Sequence, residues 1–331
     1  MNQTKPIRII AMGKYLPKAV LSEEIERKHG LPIGWSKKHS GVENRHIVTN
    51  ENNGIMGARA AEEALSKASM SLKDIDLLLC GSGTFDYPIP NQSSIIKAEM
   101  KDSNLYDTPA IDIDSTCLSF VAALDFAAKI LDGKSYKNIL IVSSEVSSIG
   151  INPSNWETLT LFGDGAAAMI VSYDENSDST FIKGGQRTYS EGVYHTIIEG
   201  GGLRNHFKNH PYNVDLYSFK MNGRHLLRLA RKKVPEFMDW FFEDIPYNIE
   251  STDAIIPHQA SKIGMSIFTS QYKLRPGQVK ETLAKYGNCI SASIPLTFMD
   301  AVEKGEIKRG DICFLSGTSA GFSIGGVLLK Y

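Results

Sequence analysis

Three side chains in this sequence could work together on a carbonyl carbon: the thiol of Cys117, the imidazole of His258 and the carboxamide of Asn288. Cys117 lies in DSTCLSF, where the apolar run at residues 110–113 gives way to a stretch with Leu118, Val121, Leu124, Ala128 and Leu131 on one helical face. His258 follows the apolar run at residues 254–256 in IIPHQAS, and Asn288 lies in KYGNCISASIP, after a helix expected over residues 278–286 and stopped by Gly287. A thiol at a helix N-terminus feels the partial positive charge of unpaired N–H groups, which favours the thiolate. The backbone N–H of such a residue can also point at a developing oxyanion. Plainer readings exist: a cysteine filling a crowded corner, a hydrogen-bonded structural histidine, and a glycine–asparagine helix cap. Together, however, thiolate, imidazole and amide suffice for carbon–carbon bond formation on a thioester. The thiolate takes an acyl group, and the imidazole and amide N–H groups stabilise the oxyanion formed when a malonyl thioester loses carbon dioxide.

The elements that must position these groups alternate between strand and helix. Strands are expected at residues 8–12, 76–83, 138–144 and 163–172, and helices at residues 22–29 (opened by Ser22), 54–69 and 92–100. Residues 85–91 contain Pro88 and Pro90 and read as a loop; residues 34–48, polar and mixed in charge, read as a surface excursion. Continuously apolar strands separated by helices mean an α/β protein with covered sheets. The second half echoes the first. STDAIIPHQA at residues 251–260 resembles DIDLLLCGSG at 74–83, KRGDICFLS at 308–316 resembles KNILIVSS at 137–144, and GFSIGGVLL at 321–329 resembles GAAAMIV at 165–171. A duplication, with halves at residues 1–173 and 174–331, would bring equivalent strand ends together, where function collects in open α/β sheets. Residues 174–219 fit neither half well and are expected to be strands and loops that cover something.

Composition narrows the partners. The 331 residues carry a formal net charge of -1, which argues against nucleic acid or an anionic membrane surface. Cys80, Cys117, Cys289 and Cys313 stand in no metal-ligand or disulfide spacing, so neither a metal site nor a disulfide framework is indicated. No stretch approaches the ~20 apolar residues of a membrane span. The N-terminal stretch reads as a first strand rather than a signal peptide, and a reducing cytoplasm is the expected location.

Six segments, in order, resemble the 3-oxoacyl-[acyl-carrier-protein] synthase III family of the thiolase superfamily. They are GVENRHIV at residues 41–48, DSTCLSF at 114–120, LFGDGAAA at 161–168, IPHQAS at 256–261, YGNCISASIP at 286–295 and SGTSAGFSIGGVLLKY at 316–331. The resemblance implies a five-layered αβαβα fold of two duplicated halves, a homodimer, and no cofactor beyond thioester substrates. It makes Cys117 the acyl-accepting nucleophile and His258 with Asn288 the decarboxylation site. The backbone N–H of Cys117, paired with one from residues 319–321 and placed at Ala320, would form the oxyanion hole. The family's glycines are replaced there by Ser319 and Ala320, so a different loop path is expected. Phe162, Gly163, Asp164 and Gly165 form a tight turn beside the site, and Ile89 would reach into the partner's acyl pocket, which implies an apolar acyl chain.

Departures from the family pattern concern the thioester donor. Trp35 keeps the tryptophan that stacks on adenine, but His39 and Trp156 stand where arginines are expected, and Ser261 replaces a pantetheine-contacting asparagine. Losing two guanidinium groups weakens a phosphate-binding surface, which favours acyl carrier protein over coenzyme A as donor. Arg224, Arg228, Arg231, Lys232 and Lys233 form either a solvated helix face or, by resemblance, the dock for an acidic carrier protein, on a helix expected to run to Pro235. The resemblance thus implies a ketosynthase acting on acyl and malonyl or 3-oxoacyl thioesters, in fatty-acid initiation or a specialised polyketide or resorcinol-type pathway. The alternatives are a non-decarboxylating condensing enzyme, for which Asp86 is the candidate base, an acyltransferase, and a catalytically silent partner subunit.

Overall fold

The computed structural model describes residues 4–331. Its first sheet orders five strands as Ile7–Tyr15, Gly165–Tyr173, Asn138–Glu145, Leu77–Cys80 and Ala110–Asp112. The first two junctions are antiparallel and the last two parallel. The second sheet orders Thr180–Thr188, Ser323–Lys330, Ile312–Ser319 and Ala254–Pro257, again with two antiparallel junctions followed by a parallel one. A single parallel bridge from Ile255 to Val279 stands where the fifth strand would lie. One connectivity therefore occurs twice, and strand pairs likened by sequence occupy equivalent places.

Period-two alternation splits each strand between two cores. Leu77 and Leu79, Ile139 and Ile141, and Met169 and Val171 face the central core, joined from the other sheet by Ala254, Ile256, Cys313, Leu315 and Val327. Between the sheets run two helices, Ser119–Ile130 and Ser293–Glu303, whose Val121, Leu124, Ile294 and Phe298 fill the same core. Leu78, Leu140 and Ile170 face the other way, against Met56, Ala60 and Ala64 of the helix Asn53–Ala68. Phe314 and Leu328 pack outward on Phe237 and Phe241 of the helix Gly223–Phe242. The result is helix, sheet, helix pair, sheet, helix: the thiolase-like five-layered fold.

Several sequence expectations need correction. Residues 34–48 are no surface excursion: Trp35–His39 is helical, Asn44–Ile47 pairs with Lys18–Leu21, and Val42 and Arg45 are buried. The polar residue that suggested solvent, Arg45, instead donates to the carbonyls of Leu159 and Phe162 and to Ser22 Oγ. The helix Ser22–His29 begins where expected, although the Ser22 hydroxyl donates to Val42 O and not to the helix. The helix expected over residues 278–286 is confined to Leu283–Tyr286. Its first half is extended because Gln278 O and Lys280 N bond to Ile255. The helix Gly223–Phe242 continues past Pro235, held by the buried Phe237, Met238 and Phe241. Within residues 174–219, Thr180–Thr188 is a full member of the second sheet, while most of the rest is loop.

Candidate active site

The two central helices begin with the same device. In the first, Thr116 N–H donates to Asp114 Oδ1 (2.8 Å) and Ser115 N–H to Ser119 Oγ (2.8 Å). In the second, Ile290 N–H donates to Asn288 Oδ1 (2.9 Å) and Cys289 N–H to Ser293 Oγ (3.0 Å). Thr116 and Ile290 hold φ of 51° and 46°, left-handed values costly for β-branched residues. Each opens a tight three-residue turn that leads into the helix. Superposing the two devices pairs Cys117 with Ser291 and Asp114 with Asn288. The turns adjoin: a Cβ on Gly83 would lie 3.2 Å from the Thr116 backbone and 3.3 Å from Ile290 Cγ2.

Cys117 is partly exposed, but its sulfur is enclosed by protein. Burial pushes the thiol up to about 12, and the Glu145 carboxylate adds to the effect. Backbone N–H groups of Ala320 and of Cys117 itself act on the sulfur in the opposite sense. This corrects the expectation that the helix end alone would favour a thiolate. In the free protein, desolvation wins over the helix end. The two N–H groups named for the oxyanion hole are nevertheless those that reach the sulfur. The loop carrying Ala320 turns left-handed at Gly321 and Phe322 (φ 78° and 50°), not at Ser319 or Ala320, so the replaced glycines impose no strain there.

His258 follows the strand Ala254–Pro257, pinned by its N–H to Ser316 O at 2.8 Å. Gly317 separates it from the cysteine turn: a Cβ there would meet His258 Cβ at 2.6 Å and Leu118 Cδ2 at 3.5 Å. The histidine is buried, its Nδ1 lacks a partner among the described residues, and desolvation lowers it to about 4, so the ring is neutral at pH 7. Asn288 is equally buried and sewn to the glycine turn, with N–H to Leu161 O at 2.9 Å and O from Gly163 N–H at 3.1 Å. Gly163 is obligatory, because a Cβ would lie 2.2 Å from Tyr286 O. With Oδ1 engaged by Ile290, the Nδ2 amide is without a partner among the described residues. Asp164 accepts from the N–H groups of Val48, Ser147 and Ser148 and from Ser148 Oγ, which fixes the turn.

Asp86, the base named for a non-decarboxylating reaction, is otherwise engaged. It accepts from the N–H groups of Asn53 and Gly54 and from Gln92 Nε2. The carboxylate that faces the cysteine region is Glu145, which sequence reasoning missed. It is fully buried and accepts from Gly83 N–H (2.7 Å), Thr84 Oγ1 (2.6 Å) and Ser291 Oγ. Burial raises it to about 7 against the pull of those donors. A glutamate closing an otherwise apolar and serine strand, NILIVSSE, was the available signal.

The remaining candidates sit further out. Trp35 stacks on His39 (4.3 Å, 23°) and receives the edge of Trp156 (6.0 Å, 85°), so its ring already has aromatic neighbours. Phe162 is buried against Phe219, and Ser261 caps the helix Lys262–Gln271 through Gly264 N–H. Ile89 is 87% exposed on its loop beside Tyr87 and Phe85, which are exposed too. Arg224, Arg228, Arg231 and Lys232 are exposed on the helix Gly223–Phe242 and unpaired with acids among the described residues, whereas Lys233 pairs with Glu236 and Glu191. No helix of the described residues is long and apolar enough to cross a membrane, and no group of three or more metal-ligating side chains occurs among them.

Two sheets enclosing a helix pair, with a thiol on the turn where their strand ends meet, define the thiolase-like class of acyl-transferring enzymes. Family models described as 3-oxoacyl-[acyl-carrier-protein (ACP)] synthase III and its C-terminal region match residues 111–190 and 242–331. A beta-ketoacyl-[acyl-carrier-protein] synthase III of Vesicomyosocius okutanii is 30% identical, with 99% of this chain and 100% of that protein covered. One from Campylobacter fetus is 30% identical with 99% of each covered. The crystal structure of 3-oxoacyl-[acyl-carrier-protein] synthase III from Aquifex aeolicus superposes with a TM-score of 0.87 at 27% identity, covering 98% of this chain and 100% of that one. The chain belongs to the 3-oxoacyl-[acyl-carrier-protein] synthase III family.

Proposed function

We propose that this protein is a ketosynthase that forms an acyl-Cys117 thioester and condenses it with a malonyl or 3-oxoacyl thioester. Cys117 attacks the donor carbonyl, and the N–H groups of Cys117 and Ala320 receive the oxyanion. The second thioester then places its carbonyl oxygen between His258 and the free Nδ2 amide of Asn288. A neutral imidazole donates a hydrogen bond there without a charge to neutralise, so the enolate left when a malonyl thioester loses carbon dioxide is stabilised while it attacks the acyl carbon and displaces the Cys117 thiolate. The observation that carries the reading is this pairing of a neutral, partly unpartnered His258 with an open Asn288 amide on turns adjoining Cys117.

The donor is carried by an acidic acyl carrier protein. Arg224, Arg228, Arg231 and Lys232, unpaired with acids among the described residues, offer the complementary face, and the Trp35, His39 and Trp156 cluster leaves little open face for adenine. The exposed Phe85, Tyr87 and Ile89 loop is where a second copy would seat in a homodimer. A non-decarboxylating variant is favoured by one observation: Glu145 is a carboxylate close enough to perturb Cys117, and it could remove a proton from the second substrate.

Intact mass after incubation with octanoyl-carrier protein, and separately with octanoyl-coenzyme A, tests the first step beside Cys117→Ala. Adduct from the carrier protein, absent in the variant, is expected. No adduct from donors of any chain length would refute the enzyme reading.

A further inference from the structure

The turn that carries Cys117 holds Thr116 at φ 51°, a left-handed value that a β-branched side chain resists. Its counterpart in the other half, Ile290, has the same conformation at φ 46°. The backbone shape therefore belongs to both turns, and only the hydroxyl is particular to the reacting one. That hydroxyl donates to Ala320 O at 3.2 Å. Among the described residues it is the one side-chain hydrogen bond from the turn, residues 114–119, to the hairpin of Ile312–Ser319 and Ser323–Lys330. Beside it Leu118 packs over Gly317 and Gly325, where a Cβ would stand 3.5 Å and 3.2 Å from its methyls. An apolar seat of this kind sets a distance, whereas a hydrogen bond is directional and fixes the hairpin tip. Ala320 O also accepts from Ser319 Oγ (3.2 Å), a bond within the tip that cannot tie it to the turn.

We propose that Thr116 is a positioning residue for acyl transfer: its hydroxyl holds the hairpin tip so that Ala320 N–H meets the oxyanion formed at the acyl carbon. This rests on the ketosynthase reading above. The N–H that reaches the Cys117 sulfur and the carbonyl that Thr116 holds belong to one residue, so a bond to the second restrains the first. In acylation the Cys117 sulfur bonds to the acyl carbon of the donor. The bond from that carbon to the donor sulfur breaks, and the departing donor thiolate takes the proton that Cys117 gives up. In condensation the enolate attacks the same carbon, and Cys117 leaves as thiolate. Both attacks put negative charge on the same oxygen, so Thr116 acts in both steps, whereas His258 acts in the second alone.

Thr116→Val removes the hydroxyl and keeps the branched shape, while Thr116→Ser keeps the hydroxyl and drops the methyl. Single-turnover acylation by octanoyl-carrier protein should slow about 10- to 100-fold in the valine variant, with the half-saturating donor concentration unchanged. Serine should restore most of the rate. Thr116→Ala, which also relieves the branched side chain, serves should valine fail to fold. Alkylation by iodoacetamide at pH 8 reads the same N–H without any acyl donor. With Ala320 N–H displaced, the thiolate loses a donor, so alkylation should slow in the valine variant and not in the serine one. A turn that had merely loosened would expose the sulfur and speed alkylation. Alkylation of the valine variant at or above the parent rate, acylation at the parent rate, or a serine variant as slow as valine would each overturn the proposal. A parent protein that takes no acyl group would refute the ketosynthase reading by itself, and the order of alkylation rates would still decide the role of Thr116.

Discussion

Replacing Glu145 with glutamine should change how stability depends on pH. The carboxyl is fully buried and is raised from 4.5 to about 7. Below pH 4.5 it holds its proton in both folded and unfolded chains and contributes nothing. As pH rises towards 7 the unfolded chain releases the proton while the folded protein keeps it, so folding loses about 1.4 kcal/mol per pH unit. The loss reaches roughly 3 kcal/mol near pH 7 and then stays constant. His258 acts in the opposite sense. Lowered from 6.5 to about 4, it takes up a proton first in the unfolded chain, so stability is full above pH 6.5 and falls by roughly 3 kcal/mol as pH drops to 4. Between pH 4.5 and 6.5 the two contributions cancel in the parent protein. Glutamine keeps an oxygen for Gly83 N–H and can donate to Thr84 Oγ1, so most of the network survives. Urea midpoints of parent and variant, measured from pH 4 to 8 at fixed ionic strength, should diverge by about 3 kcal/mol between pH 4.5 and 7, with the variant gaining as pH rises. A difference that does not change with pH would show Glu145 ionised at neutral pH. Burial would then not be what sets the Glu145 carboxyl.

Four further outcomes can be checked with simple assays. Alkylation of Cys117 by iodoacetamide, followed by intact mass, should rise about tenfold per pH unit from pH 7 to 10 without a plateau, because the thiol lies near 12; a plateau near pH 7 would mean an activated thiolate in the free protein. His258→Ala should still form the octanoyl adduct yet lose about 10²–10³-fold in condensation rate, since it removes an oxyanion donor used only in the second step. Loss of adduct formation as well would place His258 in acyl transfer. Gly163→Ala, which forces a methyl to 2.2 Å from Tyr286 O and disturbs the Asn288 bridge, should lower stability by about 2–4 kcal/mol; an unchanged thermal midpoint would show that the turn can shift. Ser291→Ala should slow condensation and move its pH optimum, because Glu145 loses its Ser291 Oγ donor; an unaltered profile would leave Glu145 out of the reaction.

Much of the architecture was legible because the strands are short and continuously apolar. LLLC and AIIP can only be buried strands, and their likeness placed the two sheets in one connectivity. Residues 278–282 misled because Gln278 and Lys280 look solvent-facing. Their backbones pair with Ile255 instead, and Gln278 Nε2 donates to Ile249 O and Thr252 O. Arg45 misled for the same reason: a guanidinium reads as surface until carbonyls gather round it. The turns bearing Cys117 and Asn288 could be found from strand and helix boundaries. Glu145 showed only as an acid closing a buried strand, because its importance lies in partners far away in the chain. Periodicity carries information about faces, not about which side chains meet.

The counterpart of the cysteine turn has not simply gone silent. Ser291 stands where a second nucleophile would be and instead donates to Glu145, which belongs to the other half of the chain and acts on Cys117. The repeat has become a division of labour, with one copy reacting and the other setting the reactant's surroundings. Neither copy can then vary freely. A change at Ser291 alters the electrostatics at Cys117, and a change at Cys117 removes the reason to keep Ser291. Cutting the chain between the sheets would divide the central core as well as the site, and neither piece would retain the environment of the reacting thiol.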